Sequence, residues 1–134
     1  MAGETSSSPP QVDDKAFLEA TTKVVNDLHR AGDVVIIGRG ANVILANTPG
    51  VMHVGLVAPV ELRVETMMQR EHLDRDEARV YVRELDEAWH IYFRKFFNAS
   101  PTEASLYHMI LNMEKIQAST AAEVIVHACA DLAS

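Results

Sequence analysis

Cysteine is nearly absent from this sequence. Cys129 is the single one, so no intrachain disulfide can form, and a reducing, cytoplasmic setting is expected. Glycine and proline are sparse, 6 and 5 of 134 residues, which excludes a low-complexity or fibrous chain. Long apolar runs are missing. None approaches the roughly 20 residues that cross a bilayer, and residues 1–10 carry neither the basic nor the apolar segment of a signal peptide, so no membrane partner is expected. Positive charge is in deficit: 12 basic against 19 acidic side chains give a formal charge of −7, which argues against sequence-independent attraction to nucleic acid. The 6 histidines show no His-x-x-x-His or His/Cys spacing, so no metal site is assigned.

What is present is the composition of one globular domain, 48% hydrophobic and 23% charged. At this length about two-thirds of the unfolded surface can be buried. Residues 1–12, with Thr5, a run of serines and Pro9-Pro10, are expected to be a disordered tail, and 13–134 the domain. Ala16, Phe17, Ala20, Val24 and Leu28 recur at helical spacing, predicting a helix from Asp13 to about Arg30, capped by Asp13 or Asp14 and stopped at Ala31-Gly32. Residues 34–37, Val-Val-Ile-Ile, read as a strand buried on both faces that empties into the turn Gly38-Arg39-Gly40. A short helix over 41–46 meets the breaker Asn47-Thr48-Pro49-Gly50. Residues 51–57 read as a second buried strand, and Pro59 opens a helix over 60–71 whose early Glu61 suits the positive end.

Asp74 and Glu77 have capping-box spacing ahead of a long helix over 75–97. Residues 105–111 are a third strand candidate, and Thr120 with Glu123 marks a last helix running through Leu132. The alternation implies an α/β domain with a parallel sheet. Arg63, Arg70, Arg75, Arg79, Arg83, Arg94 and Lys95 gather in one third of the chain. Both a local anion site and solvated helix faces, paired with Glu65, Glu71, Asp76, Glu84 and Asp86, fit that pattern. The Gly38-x-Gly40 turn lacks the third glycine of a dinucleotide fingerprint, since Val43 stands there.

The run from Gly32 to Ala41, the continuation Thr48-Pro49-Gly50-Val51-Met52-His53-Val54, and the helix entry Ala58-Pro59-Val60-Glu61-Leu62-Arg63 together resemble the cytidylate-kinase-like family. Leu85-Asp86 and Tyr92 to Phe97 resemble its lid region, and residues 105–112 its last strand. The resemblance covers about residues 14–132 and rests on the ordered set of segments. It implies a truncated P-loop kinase-like fold: α/β, three-layer, with a small parallel sheet of about three strands and five to six helices.

Phosphoryl transfer in such a site is positioning and electrostatics, and arginine forks suit phosphate oxygens. By resemblance, Arg39, in its turn between Gly38 and Gly40, contacts the acceptor phosphate. Arg63 lies along the donor nucleotide, Asp86 orients the acceptor nucleoside, and Arg94 is a lid phosphate contact. The ligands implied, where binding is retained, are CMP or ATP with Mg, and no cofactor is assigned.

Departures from the family pattern are as informative. The sequence has no strand, glycine-rich loop and helix ahead of these segments, and Gly3 is the only glycine before Gly32. The acceptor-binding insertion is absent too, and Thr66 and Trp89 stand where the family commonly has arginines. The expectation is a nucleotide-binding or interaction module without independent kinase activity, with no residue assigned as catalytic. The alternative is a nucleoside monophosphate kinase, moving phosphoryl from ATP to CMP, completed by a second chain bearing the loop. Trp89, Phe93, Phe96 and Phe97 read as core or interface. In the family the loop-bearing strand lies between those equivalent to 34–37 and 51–57. Its loss leaves these to pair directly or to be completed by another chain, so a homodimer or a loop-bearing partner is expected.

Overall fold

The computed structural model describes residues 11–133. Residues 1–10 of the expected tail lie outside the described residues, while Gln11 and Val12 already belong to the first helix. The chain divides into two compact units, one ending at Ala46 and one beginning at Asn47.

The first unit is built on α1, Gln11–Ala31. Asp13 and Asp14 lie in its first turn instead of capping it, where their charge still suits the positive helix end. Gly32, at φ 77°, closes the helix through its N–H to the carbonyls of Leu28 and His29 at 3.2 and 3.1 Å. The four-residue α2, Ala41–Ile44, is shorter than the 41–46 expected and packs against α1. Among the described residues of this unit, Val25 and Leu45 are the buried apolar side chains.

Residues 34–37 overturn an expectation. They form no strand and are not buried: Val35 and Ile37 are 87% and 88% exposed. A β-branched run favours extended backbone, but a strand exists only with a ladder partner, and none among the described residues supplies one.

The second unit holds a two-stranded parallel sheet, β1 (Val54–Val57) beside β2 (Met109–Asn112), in register from Val54 opposite Met109 to Val57 opposite Asn112. Both strands are shorter than the sequence suggested, and residues 104–106 form a 3₁₀ turn. Gly55 lies close against β2 and the residues that lead into it: a Cβ there would stand 3.3 Å from both Ile110 Cγ1 and the Tyr107 ring. The Tyr107 hydroxyl donates to the Pro101 carbonyl, holding the ring over that glycine.

Two helices occupy their expected spans, α3 at Val60–Glu71 behind Pro59 and α4 at Arg75–Phe97. The Asp74–Glu77 capping box is formed in both directions, at 2.8 and 3.0 Å. Val64 from α3 and Ala78 and Val82 from α4 make the core of this unit, flanked by Met67, Met68 and Leu73. The C-terminal half of α4 gathers Tyr92, Phe93, Phe96 and Phe97, with Phe93 buried and Trp89 edge-on to it at 5.9 Å. The last helix, α5, is Ala118–Ala128. It starts behind Gln117, so Thr120 is not its cap. Among the described residues no helix is long and apolar enough to cross a membrane.

The α/β class with a small parallel sheet thus stands, with two strands and five α-helices in the described residues.

Candidate functional site

Arg39 sits at the apex of its turn in a conformation that side chains resist. Gly38, Arg39 and Gly40 have φ of 78°, 63° and 71°. Two of these are glycines, for which the left-handed region is inexpensive, but Arg39 costs about 1 kcal/mol there. Such strain at an exposed turn is a mark that functional positions often carry. The turn is held by Ala41 N–H to the Gly38 carbonyl at 3.2 Å, and by Val43 and Ile44 N–H to that of Gly40 at 2.9 and 3.0 Å. One turn on, the amide nitrogen of Asn42 is buried without an acceptor among the described residues.

In the second unit, Arg63 and Asp86 meet each other. The two guanidinium Nη atoms donate to the two carboxylate oxygens at 2.8 and 3.0 Å, and Nε donates to the Ala58 carbonyl at 3.1 Å. The pair therefore ties α4 to α3 and to the junction between β1 and α3. Pro59 sets this up, because a helix started there points its Arg63 back at residue 58. A planar fork is the side chain that can hold a carboxylate and a carbonyl together.

Two more ties run between the helices. Glu61 accepts from both Nη atoms of Arg79, and Arg75 stands 3.7 Å from both Glu61 and Glu65. The Arg79 hydrogen bond is the main reason the Glu61 carboxyl is held below its ordinary value, and the same bond raises Arg79.

A cleft of about 680 Å³ opens along α4, lined by Val60 from α3 and by Arg79, Val82, Arg83, Asp86 and Arg94 among others. Arg79 and Asp86 are committed to their partners. Arg83 and Arg94 form no ion pair among the described residues. His90, also in the cleft, donates Nδ1–H to the Asp86 carbonyl at 2.8 Å, which leaves Nε2 as an acceptor in the neutral ring. Arg83, Glu87, His90 and Arg94 follow i, i+4, i+7, i+11 spacing, one face of the helix.

Of the residues singled out in the sequence, Arg63 and Asp86 are brought together and Arg94 lines the same cleft as Asp86. Gly38, Arg39 and Gly40 form a turn in the other unit. Arg83, one of the basic cluster in the sequence, was given no role of its own there, and the structure puts it in the cleft beside Arg94. Its spacing from Arg94 was visible, but that it would lack a carboxylate was not, because Glu84, Asp86 and Glu87 were equally available in sequence. The described residues hold no group of three or more His, Cys, Asp or Glu that could bind a metal ion.

Three comparisons place this architecture. A crystal structure of an uncharacterized protein from Eubacterium ventriosum matches with a TM-score of 0.76 over 91% of this chain and 68% of its own, at 20% identity, which is a likeness of fold. A protein named cytidylate kinase from Methanopyrus kandleri is 28% identical over 92 residues, 63% of this chain. The chain spans about half, 48%, of that relative's length. The sequence model of the cytidylate kinase-like family matches residues 3–115, the greater part of the chain, and the protein accordingly belongs to the cytidylate kinase-like family.

Proposed function

We propose that this chain is a nucleotide-binding module of its family, without independent kinase activity. The observation that carries the reading is the pair of uncommitted guanidiniums, Arg83 and Arg94, on one wall of an open cleft in a protein of net charge −7. In such a protein most cations find carboxylates, as Arg63, Arg75 and Arg79 do. Two that do not, and that face a cavity, suit a polyanion with hydrogen-bonding edges. His90 Nε2 adds an acceptor for a sugar or base donor.

Arg39 and Asn42 support a second phosphate contact. A strained arginine and a buried amide lacking an acceptor both gain from an anionic oxygen at that turn, since a buried unmet donor costs about 1–3 kcal/mol. The relative's name, cytidylate kinase, makes CMP the acceptor to try and ATP with Mg the donor. The clause on activity concerns residues 1–134 by themselves, which hold no glycine-rich loop to cradle a transferring phosphate.

The test is a titration of the chain with CMP and with Mg-ATP, followed by calorimetry and by the fluorescence of half-exposed Trp89, a neighbour of His90. Saturable binding is expected, that of Mg-ATP weakened about tenfold by Arg83→Ala or Arg94→Ala, the cost of a lost charge-assisted hydrogen bond. Arg39→Ala should weaken CMP binding alone. No binding of either nucleotide would overturn the reading, and turnover by the chain alone would overturn its clause on activity.

One observation favours a second reading, the 48% coverage of the relative's length. In that reading the chain is half of a kinase and a loop-bearing companion completes it. Its test is phosphoryl transfer from ATP to CMP on mixing the two, with none from either alone.

A further inference from the structure

We propose that two copies of this chain exchange strands, residues 34–37 of each adding to the open edge of β1 in the other. The proposal goes beyond nucleotide binding and stands or falls separately from it.

The acceptor is the outer edge of β1. In a parallel ladder a strand directs the backbone groups of alternate residues to each neighbour. Met109 N–H reaches the His53 carbonyl at 3.4 Å and Met113 N–H reaches that of Val57 at 2.8 Å, so His53, Gly55 and Val57 are the residues committed to β2. Val54 and Leu56 therefore point their N–H and C=O groups the other way, where the sheet has no further strand among the described residues. Among the described residues nothing guards this edge. The strand is Val-Gly-Leu-Val, without charge or proline, and Leu56 is 60% exposed. Proteins that keep such edges single blunt them with the devices missing here, lysine, proline or a bulge.

The donor is the segment 34–37. Its four residues are β-branched and uncharged, and no hydrogen bond among the described residues uses their backbone. Val35 and Ile37 point almost wholly into solvent. Glycines stand on either side, Gly32 and Gly38, both at positive φ, so the run is delimited as a strand would be.

A chain that carries both an unpaired apolar strand and an unpaired apolar edge can satisfy each with the other in a second copy. Reciprocal exchange does so twice around a two-fold axis and closes, whereas one-way addition would propagate into filaments. This is why a second copy, and not an unrelated protein, is the occupant the structure assigns. The net charge of −7 on each copy opposes the association, so added salt should strengthen it.

The test is sedimentation of the full chain over a concentration series, with two variants that spare the rest of the fold. Val35→Pro removes a donor-strand amide at an exposed position. Leu56→Pro removes an amide that points away from β2, leaving the β1–β2 bonds intact. The wild type is expected at twice the monomer mass, and each variant should raise the dissociation constant about tenfold or more, the loss of one or two ladder bonds. Mixing the variants should recover part of the association, since one of the two exchanges then joins an intact strand to an intact edge while the other is broken on both sides.

Should a variant lose its circular dichroism, cross-linking replaces it. In a Cys129→Ser background, chains carrying Val35→Cys and Leu56→Cys are mixed and treated with a short bis-maleimide, and a 35-to-56 link between copies is expected. A wild type that is monomeric throughout, a dimer untouched by both variants, or the absence of that link would each overturn the proposal.

Discussion

Arg63 is engaged through its whole fork, by both oxygens of Asp86 and by the Ala58 carbonyl. In the sequence it was a helix-entry arginine for which a surface carboxylate was the plain alternative. The structure selects Asp86, 23 positions away, over Glu61 two positions away, and only the packing of α4 on α3 makes that choice. Each side chain of the pair is more than a third exposed, 36% and 38%, so solvent screens much of the attraction. Asp86→Asn should therefore lower the unfolding free energy by about 1 kcal/mol at most, measured in urea. Arg63→Lys should cost a similar amount although it keeps the charge, because an ammonium cannot hold Asp86 and Ala58 together. Equal stability of Arg63→Lys and wild type would show that the fork geometry is without consequence.

Glu61 gives a prediction with a pH sign. Its carboxyl is held below the ordinary value of 4.5, first by the Arg79 hydrogen bond and then by the charges of Arg79 and Arg75. A carboxylate depressed on folding contributes stability above its unfolded value, and that contribution disappears as pH falls through the folded value. The stability difference between wild type and Glu61→Gln should thus be present at neutral pH and vanish well below pH 4.5. A difference that persists unchanged in acid would mean that the substitution had disturbed packing instead.

At the scale of elements, helices were legible where their punctuation is local. Pro59 and the Asp74–Glu77 box each lie within four residues of the backbone groups they serve, and α3 and α4 begin where these residues say. Residues 34–37 failed for the opposite reason. Their propensity is a statement about a pleated, half-buried surface, and no neighbouring strand provides it. The strands that did form were trimmed by each other, since a ladder extends only as far as both partners run.

The end of α3 was less legible. His72 takes the left-handed position at φ 57°, with Leu73 N–H returning to the Met68 carbonyl at 3.2 Å, a closure that glycine makes without strain. His72 is exposed, so His72→Gly should raise the unfolding free energy by about 1 kcal/mol. A thermal melt that moves down on this change would show that the imidazole has contacts worth more than the strain.

On the scale of the molecule, stability is unequally divided. From Asn47 onward the chain has its own core in Val64, Ala78 and Val82, its own sheet, and its own ties in Arg63–Asp86 and Arg79–Glu61. Up to Ala46 it has Val25 and Leu45 buried, while Phe17, Val24 and Leu28 on the long helix stay largely exposed. A unit of that length falls under the roughly 60 residues at which single cores become marginal.

It follows that a fragment of residues 47–134 should fold alone and melt cooperatively, and that residues 11–46 should show partial helicity without a cooperative transition. Circular dichroism with temperature reads both. An unfolded 47–134 fragment would mean that its core depends on the first unit, and a cooperative melt of 11–46 would mean that α1 and α2 bury more than they expose. In the expected case, the turn bearing Arg39 sits on the less stable unit and the cleft bearing Arg83 and Arg94 on the more stable one. Nucleotide at the turn should then raise the amide protection of α2 far more than that of α4, because a ligand adds most where the intrinsic stability is least.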